Sequence, residues 1–421
     1  MAEYGPANML EDDGTRTALR RMPAELAAID FAHAPFLVIW EVTRACDLAC
    51  VHCRAEAVAR RHPLELTTAE GERLLEQVRE FGQPLVVLTG GDPIKRPDIY
   101  DLIAFGDRLG LRMTITPSGT PLMTPTVIDR LKAAGLARMA VSLDGSTAAI
   151  HDAFRQVSGS FDWSVQMLRY AHRIGLSTQV NTTVTRRNFA DFDRLAALMV
   201  DLGIDLWSVF FLVVTGRGRP EDEIDAEQHE VIYGKMYEVS KRVPFDIKST
   251  AAPPYRRFVL QQRVAERRRN GDTQPRRRDI GFTLKGGAAR APKSVNDGNG
   301  FVFISHIGEV YPSGFLPVRV GNVRQTPLPV LYRDSPIMRS LRDYSQLKGK
   351  CGVCEYREVC GGSRARAFGV MGDYLESDPY CAYVPRRYAK LVGRGQAEEV
   401  SAYFDHRIEA HMNRGVGLPK A

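Results

Sequence analysis

Seven cysteines fall into two groups, Cys46, Cys50 and Cys53 near the front and Cys351, Cys354, Cys360 and Cys381 near the back. Thiols this sparse cannot staple a fold together, and clustered thiols in a chain whose start lacks an export pattern read as metal ligands. The front group has the spacing C-x3-C-x2-C. Three thiolates on one loop hold three irons of a cubane iron–sulfur cluster and leave the fourth iron open to another ligand. The same residues also fit a zinc site completed by His52 or a carboxylate, or three buried thiols without metal. The back group is C-x2-C-x5-C, with Cys381 following Cys360 by twenty-one positions. It offers four thiolates, enough for every corner of a 4Fe–4S cluster or for a closed zinc ribbon. Ser, His and Asp are scattered, with no nucleophile elbow.

The elements that must position these groups alternate along the chain. From Phe36 to about residue 250, short β-branched runs follow amphipathic helical stretches, the pattern of parallel βα units. The runs predict strands over 36–42, 85–89, 113–116, 139–143, 178–184, 206–213 and, with the faintest pattern, 245–248. Helical periods include 68–81, with Leu74, Leu75 and Val78 on one face, and 191–202, with Leu195, Leu198 and Met199. Six such units are too few for a closed eight-stranded barrel and fit a partial one. A doubly wound open sheet has the same periodicity and competes with it. Residues 256–291 carry Arg267, Arg268, Arg269, Arg276, Arg277 and Arg278 with little apolar periodicity, and read as a loop or linker, or as a docking site for an anionic partner. Beyond them, 301–306 and 309–311 flank a turn at Ile307 and Gly308 and read as a β-hairpin leading into the cysteine-rich module. The expected organisation is an N-terminal extension (1–35), a barrel (36–250), a linker (251–300), a cysteine module (301–390) and a tail (391–421).

Composition narrows the function. Hydrophobic residues make up 44% of the 421 residues, enough for at least one large core. No run approaches the roughly 18 to 20 apolar residues of a membrane span, and the acidic start does not resemble a signal peptide, so a cytoplasmic protein is expected. The net charge of +7 suits an anionic ligand without demanding nucleic acid. A zinc-bearing nucleic-acid binder using the arginines of 263–278 is the reading from another class, and the lack of interleaved aromatic residues speaks against it.

Three further motifs fall at strand ends. Thr89-Gly90-Gly91-Asp92-Pro93 closes the second strand, and Val141-Ser142-Leu143-Asp144-Gly145, followed by His151, Asp152 and Arg155, closes the fourth. Asn181-Thr182-Thr183-Val184 lies on the fifth. With C-x3-C-x2-C after the first strand, this order resembles the radical SAM superfamily, whose fold is a partial (β/α)6 barrel. The resemblance makes the glycine motif a counterpart of that family's GGEP, with Asp92 in place of the usual Glu, contacting the amino group of S-adenosylmethionine. Gly90 and Gly91 would let backbone approach the ligand's ammonium. Ser142, Asp144 and Asn181 would reach its polar groups, although Asp144-Gly145 also reads as a plain βα turn. The implied chemistry is one-electron cleavage of the sulfonium C–S bond, fed by a donor such as a flavodoxin or ferredoxin, and hydrogen abstraction from substrate by the resulting 5′-deoxyadenosyl radical.

The back group, within Cys351-Gly352-Val353-Cys354 to Cys360-Gly361-Gly362, resembles the SPASM-type extension of radical SAM enzymes. The full pattern has seven cysteines and two auxiliary clusters. Here the upstream pair is missing, Ser313 stands where a cysteine would fall, and Arg364 replaces a fourth closely spaced cysteine, so two 4Fe–4S clusters in all are expected. Residues 361–367 and 37–40 look most like enzymes of alternative haem and haem d-type pathways, which modify porphyrin propionates. Arg364 and Arg366 would then pair with carboxylates, and a solvated helix face explains them equally well. Maturation of a ribosomally made peptide is the runner-up.

Overall fold

The computed structural model describes residues 30–270, 295–391 and 406–412. Arg276, Arg277 and Arg278, most of the N-terminal extension and most of the tail lie outside them. All seven expected strands form: β1 (Leu37–Thr43), β2 (Leu85–Gly90), β3 (Arg112–Ile115), β4 (Arg138–Ser142), β5 (Ser177–Val184), β6 (Leu206–Phe211) and β7 (Asp246–Thr250). They lie side by side in chain order, and every neighbouring pair is parallel. A doubly wound sheet reverses its order at a switch point; this one runs on without reversal, which is the winding of a partial barrel.

The connecting helices are α1 (Thr68–Arg79), α2 (Ile99–Arg108), α3 (Pro125–Ala133), α4 (Ala148–Arg155), α5 (Ser160–Arg173), α6 (Phe192–Asp201) and α7 (Ala226–Ser240). Local signals set their ends. Thr67 and Glu70 form a reciprocal capping box at the start of α1, and its buried Leu74, Leu75 and Val78 face the sheet. Gly135 follows α3 at φ 95°, where a side chain would be strained. Strand residues alternate between the helix layer and the barrel interior. Val38, Trp40 and Val42 are buried outward, whereas Leu37 and Ile39 line an internal cavity.

The expected hairpin is present as β8 (Phe301–Ile304) and β9 (Glu309–Tyr311), with the short β10 (Gly321–Asn322) beyond. Its placement differs from the sequence reading. β8 pairs in parallel with the free edge of β1, so the first strands assigned to the cysteine module extend the barrel's own sheet. The linker reading also needs correction: residues 254–270 form α8 (Pro254–Asn270), a 17-residue helix. Its apolar residues, Tyr255, Val259 and Leu260, cluster in the first half, and Tyr255 and Phe258 pack on Tyr233 of α7. The arginine run that masked this pattern occupies the last turn, where cations suit the helix dipole. Among the described residues no helix is long and apolar enough to cross a membrane.

Candidate active site

The loop leaving β1 carries the front thiols and is laced to its surroundings. Cys46 N donates to Val58 O (2.8 Å), and Ala49 N and Val51 N donate to Arg155 O and Phe154 O at the end of α4 (3.2 and 3.0 Å). All seven cysteines are free thiols. Cys46, Cys50 and Cys53 line one cavity of about 450 Å³ running through the barrel interior. Donors and a hydroxyl converge on their sulfurs: Leu48 N on Cys46 (3.3 Å), Ala57 N on Cys53 (3.5 Å), Arg155 Nη1 on Cys50 (3.4 Å), with Ser118 Oγ 3.4 Å from Cys46. Such contacts stabilise thiolates held by a metal. Burial pushes the Cys46 thiol up, a cost that a bound cation would offset.

Three thiols from one loop, opening on a cavity, suit a cubane with an open corner. His52 does not complete a four-ligand set: its ring stands edge-on to Phe154, and its Nε2 is 4.0 Å from Asp144 Oδ2. Burial lowers its pKa to about 4, so the ring is neutral.

The sequence-derived residues divide into lining and support. Gly90, Gly91, Ser142 and Asn181 line the cavity, as do Thr89, Gln179 and Thr183. Gln179 Nε2 donates to Asn181 Oδ1 (2.7 Å), orienting the amide. Asp144 stands behind the wall, fully buried, paired with Arg155 and accepting from Thr183 N (2.7 Å). It therefore holds Arg155 against Cys50 rather than reaching into the cavity. Asp92 is also buried behind the lining; its Oδ1 accepts from Ile94 N and Ser118 N, and its Oδ2 has no hydrogen-bond partner among the described residues. Burial raises its pKa to about 6.

The glycines have a reason the sequence did not show. A Cβ on Gly90 would lie 2.2 Å from Thr43 O, and one on Gly91 2.4 Å from Ala45 O. Gly91 N and Asp92 N donate to Thr43 O and Ala45 O (2.8 and 2.6 Å). The motif is thus sewn to the thiol-bearing loop, and what approaches the glycines is the protein's own backbone. Sequence reasoning also missed Arg54, Lys248 and Arg256 on the lining; the inward phase of β7 would have flagged Lys248.

Residues 40–199 match the model of the radical SAM superfamily. The AdoMet-dependent heme synthase of Methanosarcina barkeri is 39% identical over 85% of this chain and 99% of its own length. That of Nitratidesulfovibrio vulgaris is 41% identical over 83% of this chain and 93% of its own length. The chain belongs to the radical SAM superfamily. Among solved structures, SuiB of Streptococcus suis bound to S-adenosylmethionine shares the fold at a TM-score of 0.62 and 17% identity, covering 83% of this chain and 78% of that one.

Membership implies a 4Fe–4S cluster and S-adenosylmethionine in this radical SAM enzyme, and the cavity has the parts to take them. Cys46, Cys50 and Cys53 would hold the cluster, and the polar inward side chains of β2, β4 and β5 would orient the nucleoside and amino-acid ends of the cofactor. When bound, the pair supplies a 5′-deoxyadenosyl radical able to take hydrogen from carbon. Arg155 places a positive charge beside Cys50.

The back thiols of this radical SAM chain line a second, smaller cavity together: Cys351, Cys354, Cys360 and Cys381. Backbone N–H groups of Tyr356, Gly362 and Asp378 donate to Cys354, Cys360 and Cys351 (3.4, 3.4 and 3.5 Å). Burial pushes Cys354 up to about 12 and Cys381 to about 11, a cost that a bound cationic centre would offset. Arg364 and Arg366, expected on a solvated helix face or against substrate carboxylates, do neither. Both lie at the start of α9 (Arg364–Met371), 0% and 1% exposed. Arg364 Nη1 donates to Tyr374 O and Glu376 O (2.9 and 2.6 Å), and Nη2 lies 3.6 Å from Cys351 Sγ. Arg366 bonds His229 Nε2 and Ala251 O (both 2.6 Å) and pairs with Asp378. Ser313, which the resemblance sets where a cysteine would fall, accepts from Phe315 N and Leu316 N (3.1 and 3.2 Å).

Proposed function

We propose that this radical SAM enzyme takes a hydrogen atom from a propionate side chain of a tetrapyrrole. The observation that carries the reading is the cavity beyond the thiols, whose walls present Phe210, Tyr255, Phe301, Phe303 and Phe315, flat apolar faces suited to a macrocycle. The near full-length similarity to two heme synthases supports it. A second 4Fe–4S cluster on Cys351, Cys354, Cys360 and Cys381 belongs to the same proposal, with all four irons ligated and so a role in passing electrons rather than gripping substrate. A small soluble donor such as a flavodoxin or ferredoxin in the cytoplasm would supply the first electron.

The test is anaerobic. Protein reconstituted with iron and sulfide should hold about eight irons per chain, falling to about four when either cysteine group is replaced by Ala. With S-adenosylmethionine, reductant and an iron porphyrin bearing free propionates, 5′-deoxyadenosine should accumulate in step with a change in porphyrin mass. Deoxyadenosine formed without any change in the porphyrin would remove the substrate assignment. A mass change in a peptide instead would move it to the maturase reading, which the fold of SuiB, also solved with its precursor peptide SuiA, keeps in view.

A further inference from the structure

The segment that leads from the front thiol loop to α1 meets the thiols on one side and solvent on the other. Ala57 lines the large cavity beside the thiols, and its N donates to Cys53 Sγ (3.5 Å). Val58, the next residue, is 53% exposed, yet its O accepts from Cys46 N (2.8 Å) and its N donates to Arg44 O (3.0 Å). Neighbouring residues thus face the sulfur atoms and the water.

Val58 opens a run, Val58-Ala59-Arg60-Arg61-His62-Pro63-Leu64, in which all seven residues are exposed. Leu64, at 61%, is the most exposed large apolar residue among those described. The run is fixed in place. Arg61 Nε donates to the buried Glu65 (2.6 Å), Leu64 N to His62 Nδ1 (3.1 Å), and Arg324 Nη1 to Leu64 O (3.1 Å). Its charge is positive, for it contains no carboxylate. The carboxylates around it are answered, Asp47 by Lys95, Glu56 by Arg44 and Glu65 by Arg61, which leaves Arg60 as the surplus. Exposed apolar side chains with arginine among them suit a protein-binding face, and a surplus cation favours an acidic partner. The net charge of +7 on the whole chain acts in the same direction.

The chemistry of the site says what kind of partner is needed. Each cleavage of S-adenosylmethionine consumes one electron brought from outside, and electron transfer between two proteins requires their redox centres to come close. We propose that residues 58–64 are the docking face for an acidic one-electron carrier protein, with Val58 and Leu64 making the apolar contact and Arg60 steering the approach. One electron leaves the reduced carrier and enters the cluster on Cys46, Cys50 and Cys53; no bond forms or breaks in that step. This rests on the donor reading above, whatever the substrate, and names the surface that the donor uses.

The experiment follows one-electron reduction of the front cluster in reconstituted holoenzyme by freeze-quench electron paramagnetic resonance. The front cluster is told from the back one by the change that S-adenosylmethionine makes in its signal. The reductant is an acidic flavodoxin in its hydroquinone state or, separately, dithionite. Arg60→Glu and Leu64→Ser should each slow reduction by flavodoxin about ten-fold at low salt and leave reduction by dithionite within about two-fold. Arg60→Lys should keep the wild-type rate, and added salt should slow Arg60→Glu less than wild type. Arg386→Glu with Arg387→Glu, at exposed positions close in sequence to Cys381, should change neither rate. Iron content per chain checks that each variant folds and loads.

An unchanged flavodoxin rate in the Arg60→Glu, Leu64→Ser double variant overturns the proposal. So does slowing in the Arg386, Arg387 pair instead, which would put the carrier on the cysteine module. Equal losses with flavodoxin and dithionite would mean that the run only supports the thiol loop, and would also overturn it. A wild-type cluster reduced by dithionite but by neither the flavodoxin nor an acidic ferredoxin discards the docking face and keeps the cluster. A loaded front cluster that dithionite cannot reduce removes the donor reading itself.

Discussion

Glu41 lies inside β1 with two partners on its carboxylate, Arg54 in an ion pair and His306 Nδ1 at 2.8 Å. Burial alone would raise this carboxyl, but the Arg54 charge and the His306 hydrogen bond outweigh it and lower the pKa from 4.5 to about 2. A folded-state pKa below the unfolded value means stability that is complete above about 4.5 and lost as pH falls toward 2. The contribution is about 3 kcal/mol at neutral pH. Denaturant titrations from pH 5 down to about 3 should therefore show wild type losing stability more steeply than Glu41→Gln; parallel curves would mean that the pair is not formed. Gly91 makes a second residue-scale case. If Gly91 backbone met the ligand's ammonium, as the resemblance implies, substitution would weaken cofactor binding far more than stability. With Ala45 O and Arg44 O at 2.4 and 2.7 Å from the would-be Cβ, Gly91→Ala must instead displace the thiol loop. Its reconstituted iron should fall by the front cluster's share and its unfolding midpoint should drop. Retained iron and midpoint with weaker S-adenosylmethionine binding would restore the ligand-approach explanation.

At the scale of elements, α8 is where local pattern and packing part company. Its C-terminal half carries Arg263, Glu266, Arg267, Arg268 and Arg269, and a polar helix of this length is marginal alone. Tertiary contacts decide it: Phe258 meets Tyr233 and Tyr237 of α7, and Glu266 binds Tyr237 Oη (2.9 Å) and Lys241 Nζ (2.6 Å). Its first turns form a wall shared by the two cavities, with Tyr255, Arg256 and Val259 lining the larger and Pro254 and Arg257 the smaller. Leu260 is 6% exposed, so Leu260→Ala should cost about 2 kcal/mol or more by leaving unfilled space. A thermal melt unchanged by that substitution would return the segment to the linker reading.

Across the whole molecule, the cysteine module is not a separate appendage. β8 continues the barrel sheet from β1, and Arg366 crosses from α9 to His229 of α7 and to Ala251 O beyond β7. Tyr380, next to Cys381, donates to Glu223 Oε2 (2.9 Å), which also meets His411 Nε2 (2.9 Å). Calorimetry of the loaded protein should show one cooperative transition rather than two. Arg366→Met should lower it sharply, by about 3 to 5 kcal/mol, because Asp378 would be left as a buried charge without its ion-pair partner. Two separable transitions would show that the module folds by itself.

The strands, the alternating βα class and the two thiol groups could be read in advance because each is local. Alternation of apolar residues, caps and cysteine spacing are properties of short stretches of chain, and the order of the strand-end motifs named the superfamily. What needed the tertiary structure was everything set by partners far apart in sequence. Strand order chose between barrel and doubly wound sheet, which share one periodicity. Packing against α7 made a helix of a segment whose charges argued for a loop. Burial turned Asp144, Arg364 and Arg366 from ligand contacts into supports, and the inward phase of β7 with the first turn of α8 brought Lys248 and Arg256 to the cavity. A charged side chain reads the same in sequence whether it faces water, a buried counter-ion or a ligand; only its place in the fold tells these apart.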